Sequence, residues 1–140
     1  APKVRYLISR PLVIPSNFKL KLPRYAEIKL ADGSNCFMLQ NKVVSKPETR
    51  LRDFLFPLHK ELWKFYDLYS PDTADTCHDF EIEGGIWNFN NLNQDPNPIY
   101  TGRFDERNYL GHAMFFYNVR NFRIANLTVK DPANYAISSI

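Results

Sequence analysis

Three acids alternate with apolar residues in Asp79-Phe80-Glu81-Ile82-Glu83. Residues two apart on a strand share a face, with Cα atoms about 6.5–7 Å apart. Glu81 and Glu83 therefore stand at a spacing that could bracket a scissile bond. Glycoside hydrolysis asks for two carboxyl groups about 5–5.5 Å apart in retaining enzymes and about 6.5–9.5 Å apart in inverting ones. The same alternation turns Phe80 and Ile82 toward a core, which makes the acids a solvated outer face. His112 follows Gly111, but no partner to orient it can be named, so it reads as a surface or corner histidine; His59 and His78 carry no constellation. Trp87 and Tyr135 combine flat apolar faces with polar tips, suited to stacking on sugar rings. Arg103 and Arg107 could pair with carboxylate-bearing sugars, because guanidinium matches carboxylate in a two-pronged fashion. Asn118, Asn121, Asn126 and Asn134 read as corner residues bonding to the backbone. Asn126-Leu127-Thr128 is a formal glycosylation sequon, expected to be silent inside a strand.

These residues sit in a chain patterned for short strands. Phe18, Leu20 and Leu22 alternate with polar residues after Asn17, as in a strand with one buried face. Pro23-Arg24-Tyr25 turns the chain into a second alternating strand, Ala26 to Leu30. Ala31 to Asn35 forms a turn, and Cys36 to Asn41 follows as a third strand. Three short strands separated by tight corners describe one coil of a β-helix. The pattern returns: Asn17-Phe18-Lys19-Leu20, Asp79-Phe80-Glu81-Ile82 and Asn121-Phe122-Arg123-Ile124 share an Asn/Asp, Phe, charged, aliphatic order. Cys36 to Asn41 likewise parallels Ala113 to Asn118. Without the insertions, the coils are roughly 20–30 residues each, a length typical of stacked repeats. A meandering antiparallel sheet would give similar alternation, but the corners lack Asn-Gly or Asp-Gly pairs apart from Asp32-Gly33.

The expected fold is therefore all-β: one domain, residues 1–140, a parallel β-helix of three to four coils. Two insertions interrupt it. The first, about 42–76, carries Leu51, Leu55, Leu58, Leu62 and Phe65 at helical spacing and predicts one helix near Pro57 to Tyr69. The second, about 91–110, is polar and loop-like. The strand-like end, Tyr135 to Ile140, predicts open β-helix ends and a tendency to homodimerise through them.

Composition bounds the partners. The 140 residues are 44% hydrophobic and 15% aromatic, with ten prolines against five glycines, which suits stacked strands with fixed corners. The net charge of +3 is spread without a dense basic block, so nucleic acid is not expected, and no apolar run is long enough for a membrane helix. Cys36 and Cys77 make no disulfide framework and read as free buried thiols, pairing only if neighbouring coils bring their Cα atoms within about 7 Å, and with three scattered histidines they lack metal-ligand spacing. No metal or cofactor is expected. The chain starts almost directly in strand-like sequence, as after removal of a signal peptide or excision from a longer chain.

A family resemblance sharpens this reading. Glu83-Gly84-Gly85-Ile86-Trp87-Asn88-Phe89-Asn90 and the stretch from Met114 through Asn118-Val119-Arg120-Asn121 and Asn126-Leu127-Thr128-Val129 to Ile137 resemble, in order, strands of polygalacturonase-type glycoside hydrolases. The opening Tyr6 to Leu20 is similar to the strand that begins the helix in that family. The resemblance covers about three-quarters of the chain and misses the first insertion. It implies a right-handed helix, an inverting mechanism, a plant polysaccharide, in particular a uronate-containing pectin, as partner, and an extracellular or periplasmic place. It also implies that the residues here are the N-terminal coils. The family's catalytic motifs (Asn-Thr-Asp, Asp-Asp, Gly-His-Gly and Arg-x-Lys) are absent from the sequence and are expected after Ile140. A carbohydrate-binding or structural β-helix module without hydrolysis is the alternative, and a polysaccharide lyase is disfavoured because no calcium-binding set of acids assembles.

Overall fold

The computed structural model describes residues 4–41, 77–96 and 111–139. Eleven strands run through them: β1 (Arg5–Ile8), β2 (Leu12–Ile14), β3 (Phe18–Lys21), β4 (Glu27–Leu30), β5 (Leu39–Asn41), β6 (Cys77–Glu83), β7 (Ile86–Asn88), β8 (Met114–Phe116), β9 (Val119–Ala125), β10 (Thr128–Lys130) and β11 (Ile137–Ser139). All ladders are parallel. The first sheet is ordered β1-β4-β7-β10, the second β2-β5-β8-β11 and the third β3-β6-β9. The chain thus visits the three sheets in fixed rotation. Each circuit of three strands lies on the one before it, and among the described residues no strand pairs with its sequence neighbour.

The corners explain how strands this short can be chained. Among the described residues eight non-glycines adopt positive φ, and all are Asn or Asp: Asn17, Asn35, Asp79, Asn90, Asn118, Asn121, Asn126 and Asp131. These are the side chains best able to tolerate the left-handed region. Asn17, Asp79 and Asn121 do so at one level of the third sheet, with φ of 56°, 55° and 50°, immediately before the aligned Phe18, Phe80 and Phe122. The repeat legible in the sequence is therefore a true ladder. At the next corner Gly84 (φ +80°) is obligatory in a second sense, since a Cβ there would lie 2.0 Å from the Leu22 carbonyl oxygen. Its N–H donates to the Ala125 carbonyl at 3.1 Å, joining adjacent circuits.

The core runs inside the rotation. Ile28, Leu30, Leu39, Ile82, Trp87, Phe89, Met114 and Phe116 are buried there, with Phe80 between Phe116 (5.4 Å) and Phe122 (5.2 Å). Two asparagines inside are satisfied by paired bonds. Asn41 donates through Nδ2 to the Tyr117 carbonyl and accepts from the Tyr117 N–H, both at 2.9 Å. Asn90 donates to the Leu30 carbonyl and to Asp32.

Two expectations change, and a third is not reached. Leu39 pairs with Met114 and Gln40 with Phe115, two residues out of step with the alignment of Cys36–Asn41 on Ala113–Asn118. The two-residue offset preserves the buried face, because side-chain direction repeats every second residue. Asn126 falls between β9 and β10, exposed and at φ 54°, so the sequon lies on a corner and not inside a strand. The expected helix near 57–69 lies outside the described residues, as does most of the second insertion. The start of that insertion is a 3-10 turn, Asn91–Asn93, held by Gln94 and Asp95 against Ala31 and Asn35.

Candidate functional site

The acids of β6 point outward as the alternation requires, with Phe80 and Ile82 buried between them. Their neighbours decide their chemistry. Parallel register sets Lys19, Glu81 and Arg123 on one rung, and Lys21, Glu83 and Ala125 on the next but one. Lys19 Nζ lies 3.1 Å from Glu81 Oε2. Glu83 accepts from Asn126 Nδ2 at 3.4 Å. Asp79 is paired with His78 at 2.6 Å and also accepts from the Asn121 amide. The His78 and Asn121 hydrogen bonds hold the Asp79 carboxyl below its ordinary range. Glu27, on the first sheet, is lowered as well, first by the hydrogen bond from Asn88 and then by Arg5. A general acid for glycoside cleavage needs the opposite, a carboxyl raised toward neutrality. The β6 acids are therefore the outer face of a sheet, tied to cations and amides.

Two open grooves follow from this arrangement. One, of about 470 Å³, crosses the third sheet over Asn17, Lys19, Glu81, Phe122 and Arg123. The other, of about 540 Å³, lies at the next corner, where Lys21, Arg24, Glu83, Asn126 and Thr128 surround Gly84. Both combine cations, amides and an apolar floor. Lys19, Lys21, Arg24, Phe122 and Arg123 were not among the sequence candidates. Aligning the charged position of each repeat would have put Lys19, Glu81 and Arg123 side by side.

The four sequence candidates fare differently. Trp87 is fully buried in the core and its indole Nε1 donates to the Gly84 carbonyl at 3.1 Å. Its ring has no face open to a sugar, which corrects the stacking role. The amphipathic character that suggested a wet surface is used instead to satisfy an inward-turned carbonyl. Tyr135 is 63% exposed and lies 5.3 Å, ring to ring, from His112. It is not brought near Trp87 by any contact among the described residues, and the two do not form one platform. Arg103 and Arg107 lie outside the described residues.

His112 is buried, not a surface histidine. It is surrounded by the rings of Phe37, Phe115 and Tyr135, its Nδ1 has no hydrogen-bond partner, and burial pushes its pKa down to about 4. Phe37 and Phe115 stack at 4.9 Å beside it. Cys36 and Cys77 are both free; burial raises each thiol, that of Cys36 to about 11, so neither is an activated nucleophile. Among the described residues no group of three His, Cys, Asp or Glu side chains could hold a metal ion, and no helix is long and apolar enough to cross a membrane.

No family model, curated protein or solved structure matches the chain.

Proposed function

We propose that this chain is a right-handed parallel β-helix of the polygalacturonase type whose outer grooves bind plant polysaccharide, uronate-bearing chains in particular, without cleaving it. The observation that carries the reading is the fixed rotation of the chain through three parallel sheets. A chain that returns to the same sheet by a parallel crossover winds right-handed in about 98% of cases, which supports the right hand. Lys19, Lys21, Arg24 and Arg123 around the grooves supply cations for carboxylated sugars, and Asn126 and Thr128 supply amide and hydroxyl partners for ring hydroxyls. The lowered Asp79 and the ion-paired Glu81 favour binding over hydrolysis. Polymeric pectin as ligand places the work outside the cytoplasm.

The test is titration calorimetry of the chain with polygalacturonate, rhamnogalacturonan and a neutral pectic side chain, with reducing-sugar release followed in parallel. Binding of the uronate polymers without release is the expected result. Release that disappears in Glu81→Gln would establish hydrolysis and overturn the non-catalytic reading. Absence of binding to all three would overturn the glycan reading and leave a structural β-helix.

A further inference from the structure

Asn126-Leu127-Thr128 is the one Asn-x-Ser/Thr stretch in the sequence, and its middle residue is not proline. A strand would have hidden it in a ladder. The fold instead puts it where β9 turns into β10, with Asn126 at φ 54°. Leu127 packs inward against the core, while Asn126 and Thr128 on either side of it are both exposed. Side chains two apart on an extended backbone share a face, so the amide and the hydroxyl project from the same side. The backbone between them is held independently: the Thr128 N–H donates to the Gly85 carbonyl at 3.0 Å.

The surroundings leave room for a sugar. One residue past the paired Lys21, Glu83 and Ala125, the corner stacks Leu22, Gly84 and Asn126. Gly84 carries no side chain to stand beneath the Asn126 amide, and the groove there, about 540 Å³, is within the size range of small-ligand sites. The amide itself is held only by a long, exposed hydrogen bond to Glu83 at 3.4 Å. The groove crosses all three circuits along the flank of the stack. Strands added at either end of a ladder would lengthen that flank rather than cover it.

We propose that Asn126 is the N-glycosylation acceptor of the exported chain, with the first sugar seated over Gly84. The bond formed joins Asn126 Nδ2 to the anomeric carbon of an oligosaccharide carried on a lipid diphosphate. The bond broken is the anomeric C–O bond, and the lipid diphosphate leaves with its electron pair as the amide gives up one proton. Thr128 supplies the hydroxyl that the transferring enzyme reads. The inference rests on the export in the proposed function and not on its polysaccharide ligand. An attached glycan would fill the corner groove and leave the third-sheet groove to the polysaccharide.

The test is translation of the full chain behind a cleavable secretion leader, with microsomal membranes that hold the lipid-linked oligosaccharide. Only chains sealed from added protease are scored. They should be heavier by one oligosaccharide, mapped to the peptide containing residue 126. Thr128→Ala should remove the added mass, and Thr128→Ser should keep it. Sealed chains without sugar, or sugar that survives Thr128→Ala, would overturn the proposal. Enzymatic release of the glycan leaves Asp at 126, a residue that Asp79 and Asp131 show to be at home on such corners, at φ 55° and 51°. The glycosylated and released chains should melt within about 4 °C of each other. A glycosylated chain melting far lower would overturn the seating over Gly84. No pectin enters this test, so failure of polysaccharide binding and failure of the acceptor are read separately.

Discussion

Phe80 and Phe122 occupy the same position of the same repeat, one circuit apart, yet Phe80 is 1% exposed and Phe122 39%. The difference lies in what stands above each. Phe80 has Phe18 and Phe122 on either side along the ladder, whereas among the described residues Phe122 has Phe80 on one side only. Sequence pattern chooses the strand and its inward face; place in the stack decides how much burial that face yields. In these residues the middle strand β6 is the better buried and β9 keeps more apolar surface open.

That contrast can be broken or sharpened in four ways. Phe80→Ala should cost about 3–5 kcal/mol by urea denaturation, the range for emptying an aromatic site in a packed core, while Phe122→Ala should cost about 1–2 kcal/mol. Equal losses would mean that β9 is as well covered as β6. Gly84→Ala should cost about 3 kcal/mol, because the new Cβ meets backbone 2.0 Å away at a positive φ. Gly33→Ala, with open space around it and φ +68°, should lose about 1 kcal/mol from the backbone alone.

A third test uses pH. His112 titrates near 6.5 when unfolded and near 4 in the fold, since burial disfavours the imidazolium. The unfolded chain then binds the proton first, so the stability is fully present above about pH 6.5 and falls as the pH drops toward 4. The loss should be on the order of 2–3 kcal/mol. His112→Phe should flatten the urea midpoint between pH 7 and 4.5 relative to the parent chain; an unchanged slope would place the titration elsewhere. The smallest effect belongs to the outer rung. Glu81→Gln should change stability by about 0.2–1 kcal/mol, less at high salt, because the Lys19–Glu81 pair is solvent-exposed.

The sequence showed the all-β class and the third-sheet ladder because parallel stacking forces equivalent residues onto equivalent rungs. Asn17, Asp79 and Asn121 recur for that reason, and so do the phenylalanines after them. The second-sheet register was read two residues off, since alternation is unchanged by a shift of two and nothing local fixes which rung meets which. Trp87 was misread because an amphipathic ring serves equally at a wet surface and against a buried carbonyl, and only the Gly84 contact tells the two apart. His112 was misread because its covering rings, Phe37 and Tyr135, are distant in sequence. The sequon at Asn126 looked strand-bound because one left-handed residue is enough to turn a corner, and no proline or glycine announces it.

The rotation of the chain through its sheets also sets a tempo. Phe18 meets Phe80 across 62 positions (18 to 80), Phe80 meets Phe122 across 42 (80 to 122), and no strand can pair with the one made just before it. Among the described residues no hairpin is there to form within microseconds. The first native ladder must wait for a long loop to close, and parallel, non-local topologies of this kind fold in milliseconds to seconds. During that interval the apolar rungs are bare, so refolding yield should fall as protein concentration rises. The architecture that pairs each strand with one a whole circuit away makes early collisions between chains its main hazard.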